Sequence, residues 1–234
     1  MVEIQRFYGT LLEKKPLTSS VMFLSFKVPE TFTFKAGQYV MLSMVQDGER
    51  RFKSYSILNP PSKKGVIDLC VKIIDGGFAS EVFKLMNVGD EVEMKGPFGH
   101  FVFDAQLGVD EHWFIGAGTG IAPLYSMIKE YLALSPTFQF KLIVGFRSSS
   151  DLLFHNELSE LAFKNKNFVY VPTLSREENN LWKGARGRVQ QHLGSQLQGK
   201  VFYLCGLKDL VLETKEYLLH NGVDVSHIKF ERYN

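Results

Sequence analysis

The sequence predicts two domains, an N-terminal antiparallel β-barrel over residues 1–105 and a C-terminal α/β domain with a doubly wound parallel sheet over residues 109–234. Two changes of rhythm along the 234 residues predict this. Up to about Phe103 the chain consists of short β-branched and aromatic runs separated by turn residues, and many short strands at close spacing imply an antiparallel barrel or sandwich. After about Asp110 apolar runs alternate with stretches of helical spacing, which implies parallel strands with helices on both faces. A third observation is the segment Gly116-Ala117-Gly118-Thr119-Gly120-Ile121-Ala122-Pro123, which follows an apolar run and opens a helix-like stretch.

In the first half, strands are expected at 21–28, 39–45, 66–74 and 91–94, punctuated by Lys15-Pro16, Pro29-Glu30, Asp47-Gly48, Pro60-Pro61 and Gly89-Asp90. One helix, 80–86, follows Gly76-Gly77. In the second half, strands are expected at 113–115, 140–144, 168–171, 201–204 and 228–230. The helix at 123–134 carries the stripe Leu124, Met127, Ile128, Tyr131 and Leu132, with Pro123 suited to its first position. A second helix holds Leu153, Glu157, Leu158 and Leu161 behind Ser150 or Asp151 as cap, and a third runs over 209–221 to Gly222 as a stop.

Composition excludes several classes. The net charge of +2 comes from basic residues scattered among acidic ones, which argues against nucleic acid and membrane surfaces as partners. The opening Met1-Val2-Glu3-Ile4-Gln5-Arg6 is not a basic leader with an apolar core, and no stretch approaches the ~20 apolar residues of a membrane span, so a cytoplasmic protein is expected. Cys70 and Cys205 are too few for an iron–sulfur cluster and do not suggest a disulfide framework. Any redox chemistry must therefore come from an organic cofactor. The six histidines show no metal-ligand spacing, and there is no G-x-S-x-G elbow for a serine nucleophile.

The residues that stand out lie at strand exits: Gly116 to Gly120, Gly145-Phe146-Arg147, Ser175-Arg176, Cys205-Gly206 and Glu231-Arg232-Tyr233. In doubly wound sheets, ligands bind outside the carboxyl ends of the strands. Glycines there let the backbone approach a pyrophosphate, and the first turn of the following helix carries partial positive charge. A nucleotide is the ligand this pattern suggests, although the motif reads G-x-G-x-x-P and not the usual G-x-G-x-x-G/A. No acidic residue ends the second of these strands; Arg147 does, and Ser175-Arg176 end the third. That charge favours NADPH over NADH, with Glu177 and Glu178 following at once as a counterweight.

The first half adds Lys53-Ser54-Tyr55-Ser56, read as the start of a strand, then Cys70-Val71-Lys72, Gly76-Gly77-Phe78-Ala79-Ser80 and Gly96-Pro97-Phe98-Gly99-His100-Phe101. In this order, across essentially the whole chain, the motifs resemble the ferredoxin–NADP reductase superfamily of flavoproteins. The resemblance implies that K-S-Y-S holds FAD, with Tyr55 stacked on the isoalloxazine, Ser56 hydrogen-bonded near N5 and Lys53 in the place of a phosphate-binding arginine. Lysine offers a point charge where arginine offers a planar fork, so either the flavin is held less tightly or Arg50 or Arg51 helps. Gly77, Phe78 and Ser80 would meet the flavin phosphates at the helix start, and Val71 and Lys72 would follow the ribityl chain.

For the nucleotide, the resemblance implies Thr119 at the pyrophosphate and nicotinamide, Cys205 near the nicotinamide ring, and Ser175 with Arg176 at the ribose 2′-phosphate; Arg147 and Gly206, at neighbouring strand exits, complete the expected cofactor-binding set. Glu231-Arg232-Tyr233-Asn234 resembles the family's E-x-aromatic ending, whose ring covers the flavin until nicotinamide displaces it; here one residue follows the tyrosine. Ser56, Cys205, Glu231 and Tyr233 are the expected catalytic set. The implied activity is hydride transfer from NAD(P)H to FAD, with electrons passing to a separate ferredoxin, flavodoxin or oxygenase component. A free-flavin reductase and a non-catalytic nucleotide-binding or electron-transfer subunit are the alternatives.

Overall fold

A computed structural model describes residues 3–178 and 181–233; Asn234, the last residue of the expected terminal motif, lies outside them. The chain divides into two compact units, Met1–Phe103 with Tyr125–Glu130, and Asp104–Leu124 with Tyr131–Asn234.

The first unit contains β1 (Gln5–Thr18), β2 (Val21–Lys27), β3 (Tyr39–Gln46), β4 (Glu49–Ser56), β5 (Val66–Lys72), α1 (Phe78–Leu85) and β6 (Glu91–Phe98). The strands form one antiparallel sheet in the order β4-β3-β6-β1-β2-β5. The sheet curls until its two edges meet: Ile57 bridges Leu69, and the Leu58 N–H donates to the Asp68 carbonyl at 2.9 Å. Between barrel and sandwich, the barrel is what forms. The expected Asp47-Gly48 turn joins β3 to β4, with both residues at positive φ, 49° and 79°; a two-residue hairpin loop whose twist matches its strands requires that.

Period-2 alternation fills the barrel. Val40, Leu42 and Met44 on β3, Leu24 and Phe26 on β2, and Ile67 and Leu69 on β5 are all fully buried, and α1 adds Phe83. Strand β1, with only Phe7, Gly9 and Leu11 buried along fourteen residues, is bent by register shifts at Leu11/Glu13 and Pro16/Thr18. Its polar second half hid it from the strand pattern. The α1 carbonyl end is satisfied by the Lys14 ammonium, which donates to the carbonyls of Lys84 (2.7 Å) and Met86 (2.8 Å).

One buried polar cluster holds β2 to β5. Asp68 is buried, and its carboxylate accepts from the Ser25 hydroxyl and the Lys63 ammonium, each at 2.7 Å. The Asp68 N–H donates to Asn59 Oδ1 at 2.7 Å. Replacing Asp68 with Ala strands the buried Ser25 hydroxyl and is expected to cost about 2 kcal/mol, read as a lowered urea midpoint; an unchanged midpoint would count against this role.

The second unit contains β7 (Glu111–Ala117), α2 (Ile121–Leu134), β8 (Gln139–Phe146), α3 (His155–Lys164), β9 (Phe168–Leu174), β10 (Ala185–Arg186), β11 (Val201–Leu207), α4 (Lys208–His220) and β12 (Ile228–Tyr233). All pairs are parallel, in the order β10-β9-β8-β7-β11-β12. The strand order reverses between β7 and β11, which is where doubly wound sheets open a crevice.

Three local expectations are corrected. Lys53-Ser54-Tyr55-Ser56 ends β4 instead of starting a strand, because the hairpin at Asp47-Gly48 starts β4 earlier, at Glu49. Pro123 is the third residue of α2, which begins at Ile121 behind a 3₁₀ turn over Gly118–Gly120; the third position is still in the first turn, where a missing N–H loses no helical bond. Asp151 does not cap α3. It closes a capping box with Ser148 around a short 3₁₀ turn, and Phe154 at φ 55° separates that turn from the helix.

Candidate functional site

In the first unit the site begins with a register. In the β3–β4 pair, Val40 faces Tyr55, Leu42 faces Lys53 and Met44 faces Arg51. Partners in an antiparallel pair project from the same face, so Arg51, Lys53 and Tyr55 continue the buried row of β3 onto an edge strand. A core strand would have apolar residues there; this one carries two cations and a phenol. The Tyr55 ring is half-buried and meets Phe83 of α1 edge-on at 5.3 Å between centroids. Burial pushes its phenol well above the usual tyrosine range, so it stays protonated. Ser56 is buried at the strand's end.

Facing this row is the start of α1. Gly77 is its N-cap and, having no side chain, leaves the first turn without a side-chain cap. A Cβ on Gly77 would stand 3.0 Å from the Ile74 carbonyl oxygen and 3.2 Å from Ser80 Oγ. The buried Ser80 hydroxyl accepts from the Ile74 N–H at 2.9 Å, which fixes the turn. Phe78 lies under the Arg51 guanidinium, 4.5 Å from ring centroid to charge. The structure thus brings Lys53, Tyr55, Gly77, Phe78 and Ser80 onto one side of the barrel. Val71 places its side chain in the core, so only its backbone faces outward, while Lys72 is exposed and bonds the Ser20 hydroxyl.

In the second unit the predicted residues fall along the carboxyl ends of the strands. Gly116 on β7, Cys205 on β11 and Glu231 on β12 lie side by side in one row. Gly120 packs so closely on β11 that a Cβ there would lie 2.4 Å from the Cys205 carbonyl oxygen and 2.8 Å from Gly206 Cα. Thr119, half-buried, precedes it. The Cys205 thiol is fully buried, and burial, with Glu231 beside it, holds its pKa well above the ordinary value against a hydrogen bond from Tyr233. It is a neutral thiol, not a nucleophile.

The two arginine-bearing exits are tied together. The Arg176 N–H donates to the Arg147 carbonyl at 2.7 Å, and the Ser175 N–H to the Phe146 carbonyl at 3.0 Å. Arg147, Ser175 and Arg176 are exposed. Glu177, read from sequence as opposing a phosphate, turns its carboxylate onto the Ser149 N–H at 2.6 Å. Sequence reasoning raised Arg51 only alongside Arg50 as helper cations; counting back by twos from Tyr55 separates them.

Residues 8–103 match the oxidoreductase FAD-binding domain family, and residues 114–216 match the oxidoreductase NAD-binding domain family. The two domains in one chain define an NAD(P)H-dependent flavin oxidoreductase, with FAD as cofactor. The chain is 31% identical to ferredoxin–NADP reductase B of Sorangium cellulosum (strain So ce56), covering all of both proteins. It is 32% identical to the phenol 2-monooxygenase reductase component DmpP of Pseudomonas sp. (strain CF600), over 98% of this chain and 66% of that protein. The chain therefore spans a little under two thirds of that relative's length. It belongs to the ferredoxin–NADP reductase superfamily. Among solved structures, the Amycolatopsis cytochrome P450 reductase GcoB superposes with a TM-score of 0.90 at 27% identity, covering 98% of this chain and 70% of that one. A ferredoxin NADP+ reductase from Neisseria gonorrhoeae with bound FAD and NADP shares the fold, with a TM-score of 0.86 at 21% identity over 99% of each chain. Among the described residues, no helix is long and apolar enough to cross a membrane.

Proposed function

We propose that this protein takes hydride from NADPH onto FAD and passes the electrons to a separate ferredoxin, flavodoxin or oxygenase component in the cytoplasm. The observation that carries the flavin half is the Arg51, Lys53 and Tyr55 row on an otherwise apolar barrel face. Bound FAD supplies the chemistry, accepting two electrons together and releasing them onward. The protein's residues bind, orient and keep water out.

Tyr55, pinned by Phe83, offers a flat protonated ring for stacking. Ser56, buried and adjacent, has a hydroxyl that can donate or accept and so can follow a proton at N5. Lys53 and the N–H groups of the first α1 turn suit the diphosphate. On the other unit, Gly120 seats the Gly118–Gly120 turn against β11, and the open space at Gly118 leaves room for pyrophosphate beside Thr119. Cys205, neutral and rigidly buried, serves the nicotinamide by packing, with Glu231 and Tyr233 on the neighbouring strand as hydrogen-bonding groups. Arg147, Ser175 and Arg176 favour a 2′-phosphate, with Glu177, whose carboxylate accepts from the Ser149 N–H, as the counterweight.

Replacing Ser56 with Ala removes one hydrogen bond at the reacting nitrogen. Flavin reduction in anaerobic stopped flow should slow about tenfold with the NADPH dissociation constant unchanged. Equal rates for both proteins would reject the role of Ser56. Protein that stays yellow with stoichiometric FAD after dialysis and prefers NADPH with ferricyanide supports the whole reading; colourless protein reducing added riboflavin would replace it with a free-flavin reductase.

A further inference from the structure

We propose that Arg51 is a second diphosphate-binding residue of the flavin site, and that it makes the site select FAD over FMN. The inference rests on the flavin reading above and adds a residue to it. Lys53 alone offers a compact charge to a ligand group that carries two adjacent phosphates, whereas an arginine fork can grip two oxygens at once. Two arginines precede Lys53, and the strand register separates them. Arg50 projects with Val45 from the outward face, where Val45 is 52% exposed, and its guanidinium is 3.2 Å from the Glu93 carboxylate. Arg51 projects with Lys53 and Tyr55.

Arg51 is also already placed. Its guanidinium rests on the ring of Phe78, the first residue of α1, and lines an open cleft with Gln46, Asp47, Glu49, Gly76 and Phe78. A guanidinium held over an aromatic face keeps its N–H groups in its own plane, directed past the ring, where they can reach an anion. Two of those N–H groups donate to the Glu49 carboxylate, Nε at 2.7 Å and Nη2 at 2.9 Å. Arg51 and Glu49 are each about half exposed, and an exposed pair of this kind is weak enough to exchange for a doubly charged ligand. Along the strand, Arg51 lies about 7 Å beyond Lys53 in the direction away from Tyr55. Lys53 therefore meets the phosphate nearer the ring, which FMN also has, and Arg51 meets the one that only FAD carries.

The test is titration of the full chain, after flavin removal, with FAD and with FMN, read by quenching of flavin fluorescence. Arg51→Ala should raise the FAD dissociation constant about tenfold and the FMN constant less than twofold. Lys53→Ala should weaken both. Arg51→Lys should recover less than half of the lost FAD preference, since it restores charge without the fork. Glu49→Gln, which frees Arg51, should tighten FAD about threefold. If Arg51→Ala weakens FAD and FMN equally, or neither, while Lys53→Ala still weakens both, the proposal falls and the flavin site stands. If Lys53→Ala is also silent, the assignment of this strand face to flavin falls, and the proposal with it. Arg51 is half exposed, so the substitution leaves the core untouched.

Discussion

A single methyl group at Gly120 should deprive the chain of its use of NAD(P)H. At φ −61° and ψ −11° this glycine has an ordinary helical backbone, so its need is for space and not for conformation. The ideal Cβ of an alanine would lie 2.4 Å from the carbonyl oxygen of Cys205 and 2.8 Å from both its carbonyl carbon and Gly206 Cα. All three are backbone atoms of a central strand, so no side chain can swing aside. Relief must come from moving the Gly118–Gly120 turn off β11. Overpacking of this kind costs about 3 kcal/mol, and a displacement near 1 Å at a positioning element lowers rate about 100-fold. Gly120→Ala should therefore lower kcat/KM for NADPH, with ferricyanide as acceptor, by about that factor. Gly118→Ala is the control: nothing lies within 4 Å of its Cβ, and only its φ of +52° opposes the change, a penalty of about 1 kcal/mol. If Gly118→Ala proved the more damaging of the two, close approach would not be what selects glycine at 120.

The second large effect is a loss of stability in mild acid. His112 on β7 is fully buried, its ring 4.8 Å from Phe138, 5.9 Å from Phe140 and 6.0 Å from Tyr203. Burial lowers its pKa to about 4, against the opposing pull of a backbone hydrogen bond at Val109 and the charges of Asp110 and Asp104. An unfolded histidine binds its proton near pH 6.5, and the folded one does not until about pH 4. Between those values the unfolded chain holds more protons, so stability present above pH 6.5 drains away as the pH falls toward 4. The span corresponds to about 3 kcal/mol. His112→Phe keeps the aromatic stack and removes the proton, so its urea-unfolding curve should lose less stability than wild type between pH 7 and pH 4.5. Both tryptophans, Trp113 and Trp182, lie in the second unit, so their fluorescence reports its unfolding. A wild-type-minus-variant difference that stayed constant with pH would rule the mechanism out.

What the sequence made legible follows from where periodicity survives. The α/β half was readable because strands such as 201–204 within β11 are buried on both faces and appear as unbroken apolar runs. The barrel half was readable at β2, β3, β5 and β6 from β-branched and apolar residues set off by turn residues, but not at β1 or β4. β1 is long and bent, and loses its alternation after Leu11. β4 carries Arg51 and Lys53 where its register calls for apolar residues, so the feature that makes it interesting chemically is the one that disguised it as a polar turn. The partner of Glu177 was hidden for a different reason: its sequence position beside Arg176 says nothing of the Ser149 N–H its carboxylate accepts from, 28 residues away.

The ring of strands in the first unit is closed by a short seam between residues 57–59 and β5, immediately after Tyr55 and Ser56, made of the Ile57–Leu69 bridge and the hydrogen bonds that Asp68 shares with Leu58 and Asn59. A collar fastened by so short a clasp yields there first, because springing it disturbs a few links while the neighbouring strands are laced over longer stretches. The most easily opened join and the most chemically loaded residues are thus next to one another in the chain, so the stiffness of the collar and the grip on whatever rests against it rise and fall together.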